Sequence, residues 1–136
     1  IWIGGGGEQL TLRTVARHAD CSNFGGPPEQ WAHKRDVLRD HCAAVGRDPD
    51  EIRMTWSPDV HIRRTEAEIT AGGSLAVWGQ PLEEWRANNL VGTPEQVAEK
   101  IRTYIDLGCR GFIPWCSDYA GTETLELLAE VVGEFR

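Results

Sequence analysis

The sequence predicts an α/β fold built on a parallel sheet, and three observations carry that reading. Strand-like and helix-like segments alternate four times along the 136 residues. The helical segments bring their own start and stop residues. The first strand-like run, Ile1-Trp2-Ile3, passes directly into Gly4-Gly5-Gly6-Gly7 and then into a helical pattern. That is the strand–glycine–helix passage of parallel α/β units.

The elements follow in order. After the glycines, Leu12, Val15, Ala16 and Ala19 recur at helical spacing. Cys21-Ser22-Asn23-Phe24 is a short extended run closed by Gly25-Gly26-Pro27-Pro28. The prolines open a second helix, because proline fits a first helical turn. Its buried stripe reads as Val37, Leu38, His41, Cys42 and Val45, with Gly46 as the stop. Ile52-Arg53-Met54-Thr55-Trp56-Ser57 alternates with period two and reads as one strand continuing toward Val60 or Ile62.

The middle is less regular. Thr65-Glu66-Ala67-Glu68 is a capping box that starts a short helix, and Ala71-Gly72-Gly73-Ser74 breaks it. The stretch from Leu75 to Leu90, with Trp78 and Trp85, reads as an insertion carrying a helix near Pro81 to Asn88. Thr93-Pro94-Glu95-Gln96 opens the next helix, with Val97, Ile101, Tyr104 and Ile105 as its buried face and Gly108 as its end. Gly111 to Trp115 is the last strand. Leu125, Leu128, Val132 and Phe135 mark the inner face of a final helix capped by Thr122.

Composition narrows the function. The net charge of −7 argues against general nucleic-acid binding, and no stretch is apolar enough to span a membrane. Arginine outnumbers lysine twelve to two. Cys21, Cys42, Cys109 and Cys116 form no C-x-x-C pair and read as free thiols of a reducing cytoplasm. His18, Cys21, His41 and Cys42 match no standard ligand spacing, so no metal site is expected.

The glycine run is the candidate binding element. Glycines let the backbone approach a phosphate, and the free N–H groups of a first helical turn point at it. It is neither the dinucleotide fingerprint, since Gln9 and Leu10 stand where glycines are needed, nor a P-loop, since no Gly-Lys-Ser/Thr follows. A plain connecting turn is the alternative. Four strand–helix units fit either a doubly wound domain or half of an eight-stranded barrel. The polar run Cys21 to Phe24 suits a barrel strand better than an open-sheet strand.

Four segments, taken in order, are then informative: Ile1-Trp2-Ile3-Gly4-Gly5-Gly6-Gly7, Ala16-Arg17-His18-Ala19-Asp20, Gly46-Arg47-Asp48-Pro49 and Val91-Gly92-Thr93-Pro94-Glu95-Gln96-Val97. The ordered set resembles the luciferase-like monooxygenase superfamily, and is most similar to its branch dependent on the deazaflavin coenzyme F420. The resemblance implies the C-terminal half of a (β/α)8 TIM barrel over residues 1–136, as a single domain with the insertion at about 65–90. With no initiator Met and a first residue already in a strand, the chain reads as the back part of a larger protein.

The resemblance further implies a flavin- or deazaflavin-dependent oxidoreductase that moves hydride between F420 and a small organic substrate. An FMN-dependent monooxygenase and a non-catalytic flavin-binding relative are the alternatives. Gly4, Gly5, Gly6 and Gly7 would hold the cofactor phosphate, and Phe24, Gly25, Trp56 and Trp115 would lie on the substrate side. The family's catalytic residues would stand upstream of Ile1, leaving this portion inactive alone. Its expected partners are a small-molecule substrate and either another copy or the missing half of the barrel, in the cytoplasm.

Overall fold

In the computed structural model, which describes residues 1–71 and 79–135, the alternation is realised as parallel pairing throughout. The chain divides into two compact units, one of Ile1–Ser57 with Tyr104–Ile113, the other of Pro58–Thr103 with Pro114–Arg136. The helix break read at Gly72, Gly73 and Ser74, and the aromatic Trp78, lie outside the described residues.

The first unit holds strands β1 (Trp2–Gly4), β2 (Cys21–Asn23) and β3 (Arg53–Thr55) in that spatial order, all parallel. Ile3 stands opposite Ser22, and Ser22 opposite Met54. Helix α1 (Thr11–His18) crosses from β1 to β2 and buries Leu12, Val15 and Ala16, the stripe its spacing indicates. Helix α2 (Pro28–Val45) crosses from β2 to β3. Gly46 ends it in the left-handed conformation, φ +70°, which costs glycine no Cβ clash. The expected α2 stripe needs correction: Trp31, Leu38 and Cys42 are buried, whereas Val45 is exposed. At about 100° per residue Val45 falls on the same face as Trp31, Leu38 and Cys42, and what sets it apart is its place as the last residue of the helix. Arg47 explains the turn after Gly46, donating from its guanidinium to the carbonyls of Val15 (3.4 Å) and Ala16 (3.2 Å) near the end of α1.

The core of this unit is aromatic. Trp56 lies flat on Tyr104, centroids 3.6 Å apart, and Trp31 meets Tyr104 edge-on at 6.0 Å. Phe24 packs against Trp31 at 5.2 Å and Phe112 against Trp56 at 6.0 Å. The polar tips are satisfied: the Tyr104 hydroxyl donates to the Gly26 carbonyl at 2.7 Å and the Trp31 indole to the Thr55 carbonyl at 3.4 Å.

The second unit holds β4 (Asp59–Ile62), β5 (Leu90–Gly92) and β6 (Trp115–Cys116) in the order β5-β4-β6, again parallel. Around them lie α3 (Glu66–Ala71), α4 (Leu82–Asn88), α5 (Pro94–Asp106, whose last turn belongs to the first unit) and α6 (Glu123–Gly133). The capping box of α3 forms in both directions, Thr65 N–H to Glu68 at 2.9 Å and Glu68 N–H to Thr65 at 3.3 Å. Ile69, Trp85 and Val91 make a small core with Leu82 against it.

The parallel α/β reading stands, and the strands are more numerous than the four expected, six among the described residues. The single strand read from Ile52 toward Ile62 is broken at Ser57-Pro58 into β3 and β4, since Pro58 has no N–H for a ladder. The stretch opening the Val91-Gly92 motif is itself a strand, β5. The expected inner face of the last helix is corrected too: Thr124, Leu127, Leu128 and Val131 are buried, whereas Leu125, Val132 and Phe135 are exposed. Leucine and valine recur on two faces of α6, and periodicity alone does not choose between them. Ile105 of α5 is likewise exposed.

Trp56→Ala removes the face of the Tyr104 stack and leaves a large void in a fully buried site. It is expected to destabilise the protein by about 3–5 kcal/mol, read as a lower urea midpoint at unchanged slope.

Candidate functional site

The glycine loop begins where β1 ends. Gly5 has φ +114°, a conformation that side-chain-bearing residues rarely adopt, and its N–H donates to the Asn23 carbonyl at 2.8 Å. The Gly7 carbonyl accepts the Leu12 N–H at 3.0 Å, which draws the loop down onto the start of α1. Among the described residues no protein acceptor takes the N–H of Gly6 or Gly7. A Cβ on Gly7 would stand 3.0 Å from the Thr11 hydroxyl, and one on Gly6 would stand 3.5 Å from Lys34 Cε and from Phe24 Cβ. A side chain is thus crowded at Gly7 and strained at Gly5, makes ordinary contact at Gly6 and meets nothing at Gly4.

Charge gathers at the same place. Lys34, on the first turns of α2, donates to Glu8 Oε1 at 2.7 Å, and His33 Nε2 lies 3.1 Å from the same oxygen. His41 Nε2 sits 2.8 Å from the Glu8 carbonyl. The bond from Lys34 holds the Glu8 carboxyl below its usual range. A strand end, unspent amides, a helix start and one lysine together suit an oxyanion that is also tethered elsewhere.

Phe24 and Gly25 follow β2, Phe24 buried against Trp31 and Gly25 exposed. Trp56 has no exposed surface, and its faces are occupied by Tyr104 and Phe112. Gly4 to Gly7, Phe24, Gly25 and Trp56 all fall in the first unit. Trp115 falls in the second, where it is 73% exposed. With Pro114, Cys116 and Tyr119 it lines a cavity of about 410 Å³.

Sequence reasoning missed Lys34 and Glu8. One signal pointed to the former: in a chain of twelve arginines, the two lysines both have specific tasks. Lys100, the other, donates to the carbonyls of Arg86 (2.5 Å), Ala87 (2.8 Å) and Asn89 (2.9 Å) at the end of α4. Burial pulls its ammonium down to about 8.

Two polar clusters lie in the second unit. His61 on β4 is fully buried, its Nδ1 is 3.0 Å from the Ser117 hydroxyl, and its Nε2 has no partner among the described residues. Beside it, Asp118 Oδ2 accepts from Arg63 (3.2 Å), the Thr124 N–H (3.2 Å) and the Thr124 hydroxyl (2.8 Å). Asp118 thus caps α6, in place of Thr122, whose hydroxyl turns to Glu126. Burial pushes the Asp118 carboxyl up, but the bonds from Thr124 and the charge of Arg63 outweigh it and leave it below the usual range. The four cysteines are free, and among the described residues no group of three or more His, Cys, Asp or Glu is placed to hold a metal. No described helix is long and apolar enough to cross a membrane.

An α/β unit with parallel strands and a glycine loop at the first strand end defines the fold class, and solved structures share it. A long-chain alkane monooxygenase matches at 21% identity and a TM-score of 0.74, over 99% of this chain and 40% of its own. An F420-dependent secondary alcohol dehydrogenase, in complex with an F420-acetone adduct, matches at 12% identity and a TM-score of 0.82, over 99% of this chain and 48% of its own. A riboflavin lyase with a modified FMN and riboflavin matches at 18% identity and a TM-score of 0.68, over 97% of this chain and 43% of its own. The neighbours are luciferase-like monooxygenase family members, F420-dependent enzymes among them, with TIM-barrel folds, and the chain has the fold of part of such a barrel. It spans less than half the length of each of these three structures. No protein-family model and no curated relative matches the sequence.

Burial and the nearby Arg63 charge lower the His61 pKa below its ordinary 6.5. The unfolded chain therefore binds the proton more readily than the folded one, and the contribution of neutral His61 is complete above pH 6.5 and lost as the pH falls below it. Thermal unfolding between pH 7.5 and 5.5 should lose stability faster in the wild type than in His61→Gln. The difference is at most about 1.4 kcal/mol per pH unit.

Proposed function

We propose that this chain is part of a deazaflavin- or flavin-dependent oxidoreductase and that the loop Gly4 to Gly7 receives the phosphate of the cofactor, F420 in the first instance. The observation that carries the reading is the loop itself. Gly5 turns the chain at φ +114°, and Gly6 and Gly7 present amides with no protein acceptor among the described residues. A cradle that a side chain on Gly7 would crowd, beside the Lys34 cation, fits a phosphate oxygen. The fold, shared with F420-dependent and FMN-containing structures, supports the same assignment.

The bound group would supply hydride transfer to or from a small organic substrate. The residues of this chain bind and orient it: the glycine amides take the phosphate, and Phe24 packs beneath the loop. An FMN-dependent monooxygenase is the second reading, favoured by the likeness to the alkane monooxygenase. The absorbance spectrum of the purified full-length protein separates the two cofactors.

Gly6→Leu tests the loop. A bulky side chain there meets Lys34 Cε and Phe24 Cβ and blocks the backbone. FMN and F420 affinities are expected to fall at least roughly tenfold, the loss of one charge-assisted contact. Gly6→Ala, with its Cβ at ordinary contact distance, should bind nearly as the wild type. Unchanged affinity in Gly6→Leu would make the loop a connector only.

The substrate side is proposed at Phe24 and Gly25, in the first unit, and the partner is proposed to be a further β/α layer, from the rest of the barrel or from a second copy. Trp2 on the outer strand β1 is 56% exposed, and Ile113 and Trp115 are exposed as well. Parallel sheets are normally covered on both faces. Residues 1–136 expressed alone are therefore expected to associate. A monomer mass by light scattering at high concentration would remove this part of the proposal.

A further inference from the structure

We propose that Glu8 is an internal placeholder for the cofactor phosphate, and that Lys34 exchanges the Glu8 carboxylate for that phosphate when it binds. The inference rests on the phosphate assignment of the glycine loop and names the side chains that govern it. Lys34 is not a loose surface lysine: its side chain is only 18% exposed, and its stem lies against Gly6, Cδ and Cε 3.7 and 3.5 Å from where a Cβ would stand. With its stem so fixed, the ammonium has a set partner, and Glu8 Oε1 supplies it at 2.7 Å.

Glu8 follows the glycines directly in the chain, and its carboxylate is held by the lysine whose stem lies against Gly6. Two negative groups sharing one cation at close range repel each other. Glu8 has a second partner to keep, His33 Nε2 at 3.1 Å, and its backbone is pinned through its carbonyl by His41 at 2.8 Å. The carboxylate can therefore give up Lys34 without being stranded. The ammonium has three donors and reaches a new oxygen from the same stem. The pair thus tunes affinity: Lys34 adds to phosphate binding and Glu8 subtracts from it.

The test titrates the full-length protein with FMN, with F420, with riboflavin and with the deazaflavin chromophore lacking its phosphate tail. Glu8→Gln, which keeps shape and removes charge, is expected to bind the two phosphate-bearing cofactors about three- to tenfold more tightly. Lys34→Met is expected to bind them roughly ten- to a hundredfold more weakly, with Lys34→Arg restoring most of the loss. Neither variant should change the affinity for the phosphate-free compounds, and the double variant should behave as Lys34→Met alone. The exchange is overturned if Glu8→Gln binds the phosphate-bearing cofactors no more tightly than the wild type. It is overturned too if Lys34→Met binds them as well as the wild type, or if the phosphate-free compounds shift equally. If the wild type itself does not prefer FMN over riboflavin, nor F420 over its phosphate-free chromophore, the phosphate assignment fails and the exchange falls with it.

Discussion

The face-to-face stack of Trp56 on Tyr104 is the contact on which the first unit is built. Trp56 continues β3, and Tyr104 comes from the last turn of α5, so the stack joins segments nearly fifty residues apart in sequence. From Tyr104 the constraint runs outward by identifiable bonds. Its hydroxyl, whose proton burial makes harder to lose, donates to the Gly26 carbonyl and fixes the turn after β2. That turn sets where α2 starts. The first turns of α2 bring Trp31 inward against Tyr104 and Lys34 outward over Gly6. A core contact thereby determines which cation stands beside the glycine loop.

In the second unit polar groups take the place that aromatics hold in the first. Asp118 satisfies the start of α6 and the guanidinium of Arg63 with one oxygen, and Lys100 satisfies three carbonyls at the end of α4. Helix ends leave four unpaired backbone groups each, and short helices have proportionally more of them. With α3 and α4 only six and seven residues long, side chains from other elements must do this work. Among the described residues His61 Nε2, Arg86 Nε and Asp118 Oδ1 of this unit are buried without a partner, and His61 is the fully buried ring among them.

Some of the large exposed side chains lie at or near strands. Trp2, Ile113, Trp115 and Tyr119, the last 90% exposed, are apolar or aromatic and lie on strands or just beyond them. Scattered exposed hydrophobics need no explanation, but strand positions of a parallel sheet do.

Local chemistry was legible in the sequence. The alternation of strand and helix, the α3 capping box, Pro94 at the start of α5 and Gly46 at the end of α2 rest on interactions within a few residues, and those are written in adjacent letters. The glycine loop was legible for the same reason, since φ +114° at Gly5 is a property of one residue. The tertiary structure decided everything that depends on distant partners. It broke the strand at Pro58, turned α6 to bury Leu127 and Val131 rather than Val132 and Phe135, and brought Asp118 rather than Thr122 to its cap. It also placed Lys34 on Glu8, 26 positions away, and withdrew Trp56 into the core. A side chain's periodicity offers more than one face to bury. Which face wins, and which charges meet, depends on what packs opposite, and only the folded chain supplies that.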